Sequence, residues 1–169
     1  MKQLTECTPS VRFYPNYSCS TYLDTWLFRD RVTLIGDAAH AHGGAHATGG
    51  SLAIDDAYTL SLALHSIFPM TATRKPSTEE ISRALKLYET IRKPHAERLL
   101  KVVHEGNRKR IEKLRSGRAE TDEELRGRAR KGTGTNWLHE YDVVGAFEEV
   151  VGRSMGRDAG EVEGVSARL

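Results

Sequence analysis

Apolar residues change their spacing several times along this chain, and each change predicts a different element. Over 1–31 the aromatics Phe13, Tyr14, Tyr17, Tyr22, Trp26 and Phe28 are scattered and interrupted by Pro9 and Pro15. Their partial alternation predicts one or two strands or a loop-rich lead-in. Val32-Thr33-Leu34-Ile35 is then a continuous β-branched and apolar run, of the length of a strand buried on both faces. From Ser51 the spacing turns helical, with Ala53, Ala57, Leu60, Leu64 and Ile67 stepping by four and three. Asp55, Asp56 and Thr59 lie off that stripe, so an amphipathic helix running to just before Pro69 is predicted.

Ser77-Thr78-Glu79-Glu80 has the form of a capping box, with Ser77 as N-cap and Glu80 three residues on. Ile81, Leu85, Tyr88 and Ile91 continue a helical stripe to Pro94, where a kink or a break is predicted because proline cannot donate to the helix ladder. A second helical piece, from His95 to about Leu114, carries Leu99, Val102, Val103 and Ile111. Residues 116–134 are charged and contain glycine, which predicts a surface excursion. Apolar content returns at Trp137, Leu138, Tyr141, Val143, Val144, Phe147 and Val150, which predicts a last short helix up to Val151. Beyond Gly152 the chain is polar and is expected to fray. One convincing strand beside several helices leaves backbone groups unpaired, so the chain is expected to be a piece of a larger fold.

Composition narrows the function classes. The 169 residues suffice for one domain and a single core. Lys and Arg number 25 against 23 Asp and Glu, a net charge of +2 that is too balanced to point to nucleic acid. The basic residues of Arg108-Lys109-Arg110, Lys113, Arg115 and Arg118 interleave with Glu105, Glu112, Glu120 and Glu123, as on a solvated helix. No aromatic between Tyr88 and Trp137 offers a base-stacking platform. Cys7 and Cys19 lack the spacing of a zinc ribbon or a disulfide framework. Without an apolar run long enough to span a bilayer or form a signal peptide, a cytoplasmic or other soluble intracellular compartment is the expectation.

The chemistry concentrates in RVTLIGDAAHAHGGAHATGGSLAIDDAYTLSLAL, residues 31–64. A strand delivers Gly36 and Asp37 to its C-terminal end, and Gly49-Gly50-Ser51 bares the start of a helix. Together they form an anion-binding corner: the carboxylate can accept hydrogen bonds from sugar hydroxyls, while backbone N–H groups near Ser51 face an anion. The plainer alternative is a turn at Gly36-Asp37 and a simple cap at Ser51. His40, His42 and His46 could supply metal ligands, although histidines in a tight small-residue loop are also found merely hydrogen-bonded. Two nucleotide motifs fail. Residues 44–51 resemble a P-loop but carry Gly50 in place of its lysine, and Gly132-Thr133-Gly134 has no preceding strand. Ser51 lies in no nucleophile elbow, and no catalytic nucleophile or other catalytic residue is assigned.

Gly36-Asp37-Ala38-Ala39-His40, then Gly49, then Asp55-Asp56-Ala57 and a leucine-rich helix, resemble the second FAD motif of the flavoprotein aromatic hydroxylases. Fungal single-component monooxygenases of the salicylate-hydroxylase type give the nearest likeness. Arg12 to Asn16, Asp24-Thr25-Trp26, Arg92-Lys93-Pro94 and Trp137 to Asp142 also look like that group, although only residues 36–57 are specific. The resemblance implies an α/β fold: the C-terminal portion of an FAD- and NAD(P)-binding, Rossmann-like flavoprotein with one or two strands and a mostly helical remainder. Residues 1–31 would be a remnant of the substrate sheet, 32–151 the C-terminal part of the FAD-binding domain, and 152–169 a flexible tail.

The same likeness implies FAD as cofactor, NAD(P)H as co-substrate and an aromatic small molecule as substrate of the full-length enzymes, with no nucleic-acid or membrane partner. Gly36, Asp37, Ala38, Gly49, Gly50 and Ser51 would line the flavin, with His40 and His42 near the loop in no catalytic role. Three departures stand out: Gly43-Gly44 where many relatives have proline, Ala47 and Ser51 where the family has glycine and asparagine, and no N-terminal GxGxxG unit. The chain is therefore expected to be inactive alone and to bind FAD weakly or not at all. The competing readings are a non-enzymatic remnant that binds a partner through its helices (77–114), and a histidine-loop metal protein.

Overall fold

The computed structural model describes residues 10, 12, 14–131 and 134–153. The outermost part of the lead-in and the tail beyond residue 153 lie outside the described residues. A two-stranded antiparallel hairpin, β1 (Leu27–Phe28) and β2 (Val32–Thr33), leads into a four-residue helix, α1 (Asp37–His40). A 3₁₀ turn over Ala45–Ala47 precedes α2 (Gly49–Ile67). Then come the long α3 (Thr78–Ser116), α4 (Asp122–Lys131), α5 (Asn136–His139) and a helical segment over 143–153. The described residues are mostly helical, with two short strands, the first of which lies against α3.

The Ser77 capping box forms as predicted. The Glu80 N–H donates to the Ser77 hydroxyl and the Ser77 N–H to the Glu80 carboxylate, so two otherwise unpaired donors of the first turn are satisfied. Arg74 grips the same carboxylate with two nitrogens and, with the Ser77 N–H, draws Glu80 down to a pKa of about 2. Leu85, Tyr88, Ile91, Leu99 and Val103 are buried on one face of α3, as their spacing predicts, whereas Ile81 and Val102 are half-buried and Ile111 is exposed.

Several expectations are corrected. Pro94 does not break the helix; α3 runs through it as one element of 39 residues. Its ring lies on the exposed side of α3, while Ile91, Arg92, His95 and Ala96 are packed on the other side. Val32 and Ile35 are exposed rather than buried on both faces, because among the described residues β2 has only β1 as neighbour. The excursion over 116–134 contains a helix, α4, none of whose residues is buried. The last helix is two pieces, α5 and 143–153, separated by a turn at Glu140.

The largest correction concerns α2. The buried residues are Leu52, Asp56, Thr59 and Ala63, so the helix packs on the side that carries its acids, while Ala57 and Leu64 are exposed. Trp26, Ala39, Ala63, Tyr88 and Ala96 form one apolar cluster, and Leu52, Leu99, Val103 and Leu138 form another. Between them α2 and α3 make the main helix pair, and polar groups occupy its centre.

Candidate functional site

Asp56 is completely buried and has three hydrogen-bond donors around it. The Gly36 N–H donates to its Oδ2 at 2.8 Å, His40 Nε2 meets the same oxygen at 2.6 Å, and Arg92 Nε donates to Oδ1 at 2.8 Å. Arg92 is also fully buried, and its guanidinium lies 4.8 Å from the centre of the Tyr141 ring. Burial pushes the Asp56 carboxyl up, but His40, Arg92 and the Gly36 N–H outweigh it and hold the group below its ordinary value. Burial likewise opposes the Arg92 charge, and Asp56 more than compensates, leaving it raised. Charge burial is tolerated because each charge has a partner at hydrogen-bond distance.

This cluster fixes the loop carrying the sequence motif. Gly36 sits at φ 57°, where a side chain would be strained, and a Cβ there would lie 3.4 Å from that of Ala53. The His40 ring also packs at 5.7 Å from that of Trp26. Downstream, Ser18 bridges to His42 in antiparallel fashion and the Cys19 N–H donates to the Ala41 carbonyl at 2.7 Å, so the lead-in straps the loop from outside. His104 Nε2 donates in turn to the Cys19 carbonyl at 2.8 Å.

The predicted site residues divide by burial. Gly36 is buried and its N–H is taken up by Asp56, whereas Asp37, Ala38, Gly50 and Ser51 are exposed and Gly49 is half-buried. Asp37 and the start of α2 adjoin, since a Cβ on Gly49 would lie 3.9 Å from Asp37 Oδ1 and 3.6 Å from His42 Nε2. A Cβ on Gly50 would meet nothing within 4 Å. The corner thus combines an exposed carboxylate with a helix N-terminus that no side chain caps. Thr48, not Ser51, is the N-cap of α2, and no side chain caps it; the Ser51 hydroxyl donates back to the Thr48 carbonyl. The first-turn N–H groups of α2 therefore keep no side-chain acceptor of the usual capping kind, as an anion-facing helix start requires.

The loop into α2 is wound in the left-handed region. Gly43, Gly44, His46 and Ala47 have φ of 70°, 69°, 64° and 54°. For His46 and Ala47 that conformation is strained, and Ala47 occupies a position where the resemblance places glycine. The three histidines do not converge as a ligand set. His40 is held by Asp56, His42 is buried, and His46 is exposed. Among the described residues no group of His, Cys, Asp or Glu is arranged to hold a metal ion. The apolar stripe of α2 points Asp56 toward solvent, and nothing in the local spacing gives Arg92 a role. A buried acid and its cation partner leave no local signal when 36 residues separate them.

The FAD binding domain family matches residues 7–103, more than half of the chain, and the chain belongs to that family. It is 33% identical over 73 residues to an FAD-dependent monooxygenase of Gibberella moniliformis, covering 43% of this chain and 17% of that protein. It is 35% identical over 81 residues to the FAD-dependent monooxygenase DEP2 of Alternaria brassicicola, covering 47% of this chain and 15% of that protein. A bacterial relative, the 3-hydroxybenzoate 6-hydroxylase of Klebsiella oxytoca, is 35% identical over 79 residues, covering 47% and 17%. The chain thus spans about a sixth of the length of these relatives. No solved structure matches. FAD is the cofactor of the family, and among the described residues no helix is long and apolar enough to cross a membrane.

Proposed function

We propose that this chain is the C-terminal part of the FAD-binding domain of a Rossmann-like flavoprotein monooxygenase that hydroxylates an aromatic compound with NAD(P)H and O2. Residues 1–31 are its lead-in from the substrate sheet, and 32–151 its share of the FAD-binding domain. The observation that carries the reading is the corner where the exposed Asp37 adjoins the open, glycine-paired N-terminus of α2.

The residues present fit a flavin. Asp37 would hold the cofactor by accepting hydrogen bonds from its sugar-chain hydroxyls, and the backbone N–H groups at Gly49, Gly50 and Ser51 would favour negative charge on the ring, as a helix N-terminus does. Gly36 and Ala38 shape the approach, Gly36 through its left-handed turn and Ala38 through its small exposed side chain. FAD supplies the redox and oxygen chemistry when bound. The protein's own part is to orient it: Asp56 holds Gly36 and His40, and with them the backbone that aims Asp37. His40 is a positioning residue, through Asp56, and no acid or base role in the reaction is assigned to His40 or His42.

The relatives' length supports a division of the site, in which this portion holds the flavin end and a further portion holds the ADP half. Expressed alone, the chain binds FAD weakly or not at all. Flavin fluorescence quenching on titration with the chain tests this, together with NAD(P)H oxidation followed by the absorbance of the reduced nicotinamide. Tight binding with turnover would overturn the division. Quenching unaffected by Asp37→Ala would overturn the assignment of the corner.

A further inference from the structure

Beside the Asp37 corner lies a second cavity that the flavin reading does not use. It measures about 380 Å³ and is lined by Asn16, Ser18, His42, Gly43, Gly44, Asn107 and Arg110. The lining contains no carboxylate. It offers a guanidinium, two side-chain amides, a hydroxyl and an imidazole, on a loop already opened by two left-handed glycines. Asn16 donates its amide to the Gly43 carbonyl, which fixes the rim. Arg110 has no ion-pair partner among the described residues, although Lys113 and Arg118 nearby are both paired with glutamates. A cation left unpaired beside neutral donors is the arrangement an oxyanion satisfies.

The inner wall gives the second observation. His42 is only 3% exposed, yet neither ring nitrogen has a hydrogen-bond partner. Unpaired polar atoms at that depth are uncommon in folded proteins, and a ligand or an ordered water is the usual explanation. Burial lowers the His42 pKa, against Asp37, whose charge raises it, and with His40 and His46, which lower it further. A neutral imidazole there still donates one N–H. Gly43 and Gly44 exclude no volume beyond their backbone, so the cavity reaches the loop itself. A Cβ on Gly43 would press within 3.3 Å of that of Ser18 and narrow the cavity.

We propose that this cavity binds a small oxyanion, a carboxylate or a phosphate group, held by Arg110, Asn107 and Ser18 against the His42 wall. Two sources share that chemistry: an acid group on an aromatic substrate, or a phosphate of a dinucleotide. The site stands without bound flavin, so its test does not depend on the flavin assignment.

The full 169-residue chain is titrated without flavin at low ionic strength, separately with benzoate and with inorganic phosphate. Calorimetry and the side-chain nitrogen resonances of His42 are the readouts. Saturable binding with a His42 shift is expected for at least one anion. Arg110→Gln and Asn107→Ala should each weaken it, Arg110→Gln by about tenfold or more. Lys75→Gln, at an exposed lysine far along the chain, should leave it unchanged. Benzoate binding alone identifies the carboxylate source, and phosphate binding identifies the other. The proposal is overturned if neither anion saturates, if binding survives both cavity substitutions, or if Lys75→Gln weakens it equally. Circular dichroism of each variant separates a binding loss from unfolding, and Asn107, exposed on α3, provides a variant that spares the core.

Discussion

His40 Nε2 and Asp56 Oδ2 lie 2.6 Å apart, with both side chains all but excluded from solvent. The histidine of the GDAAH motif is thus a structural fastening: it closes α1 onto α2, and the same carboxylate oxygen also receives the Gly36 N–H. Arg92 brings the third segment from α3. Around one acid, the loop and the two long helices are set relative to one another.

Removing that acid should be costly. Asp56→Asn leaves Arg92 buried without its counter-charge, and a loss of about 3–5 kcal/mol is expected in urea or guanidinium unfolding. The double variant Asp56→Asn with Arg92→Met should be less destabilised than the sum of the two singles, because the buried cation goes with its partner. Strict additivity in that cycle would show that the pair is not coupled.

Gly50 separates binding from stability. Its position is exposed, and a Cβ there meets nothing within 4 Å. Gly50→Leu should therefore leave thermal stability unchanged or raise it by up to about 1 kcal/mol through helix propensity. If the start of α2 faces the flavin, the added side chain occupies the approach and weakens FAD binding by at least about tenfold, given what lost charge-assisted contacts are worth. Thermal melts read the first effect, and FAD titration at protein concentrations high enough to detect weak binding, followed through the amide resonances of Gly49 to Ser51, reads the second; an unchanged affinity would place the flavin elsewhere.

Opposite signs are expected on the two halves of the left-handed loop. Ala47→Gly relieves backbone strain at φ 54° and should be neutral or stabilising by up to about 1 kcal/mol, the strain relief being partly offset by unfolded-chain entropy. Gly43→Ala meets both φ 70° and Ser18 at 3.3 Å, so a destabilisation of more than about 1 kcal/mol is expected. Thermal melts of the two variants side by side decide it.

Acid should loosen the protein in two stages. His95 is buried and lies near Arg92 and Arg98, and its pKa falls from 6.5 to about 4. The unfolded chain therefore takes up a proton that the folded one refuses, so stability is lost as pH falls from about 6.5 to 4. His42, also lowered by burial, contributes in the same direction from the same starting value. Asp56 has its pKa lowered from 3.8, and its contribution is present above that value and disappears as pH falls through the folded one. His95→Gln should flatten most of the upper stage and leave the lower one. Unfolding free energies at half-unit steps between pH 7 and 3 measure both, and an upper stage untouched by His95→Gln would refute the assignment.

What the sequence discloses depends on the span of each interaction. The Ser77 box joins groups three residues apart and is legible as written. So are the start of α2 at Gly49 and the buried face of α3, which repeat every turn. The buried face of α2 is not. Its apolar stripe reads as the inner side, but Asp56 is drawn inward by partners 20, 16 and 36 residues away, and periodicity carries no record of them. Pro94 likewise reads as a break, because its cost is local while the packing of Ile91 to Ala96 that holds α3 together is not. In the proposed corner the glycines and Asp37 were evident as types, whereas the division into buried Gly36 and exposed Asp37 required the fold.

The clamp on Asp56 also says how portable the motif is. Residues 36–51 read as one contiguous word, but their shape is dictated from Asp56 and Arg92, outside it. Grafted onto another scaffold, that stretch would carry its letters and lose its conformation. The smallest transplantable unit runs from Ser18, which bridges to His42, through Trp26, which packs on His40, to His95 and Ala96 on α3. A recombination boundary drawn inside that interval would part the loop from its anchor, whereas one placed beyond the last buried position of α3, Val103, would not.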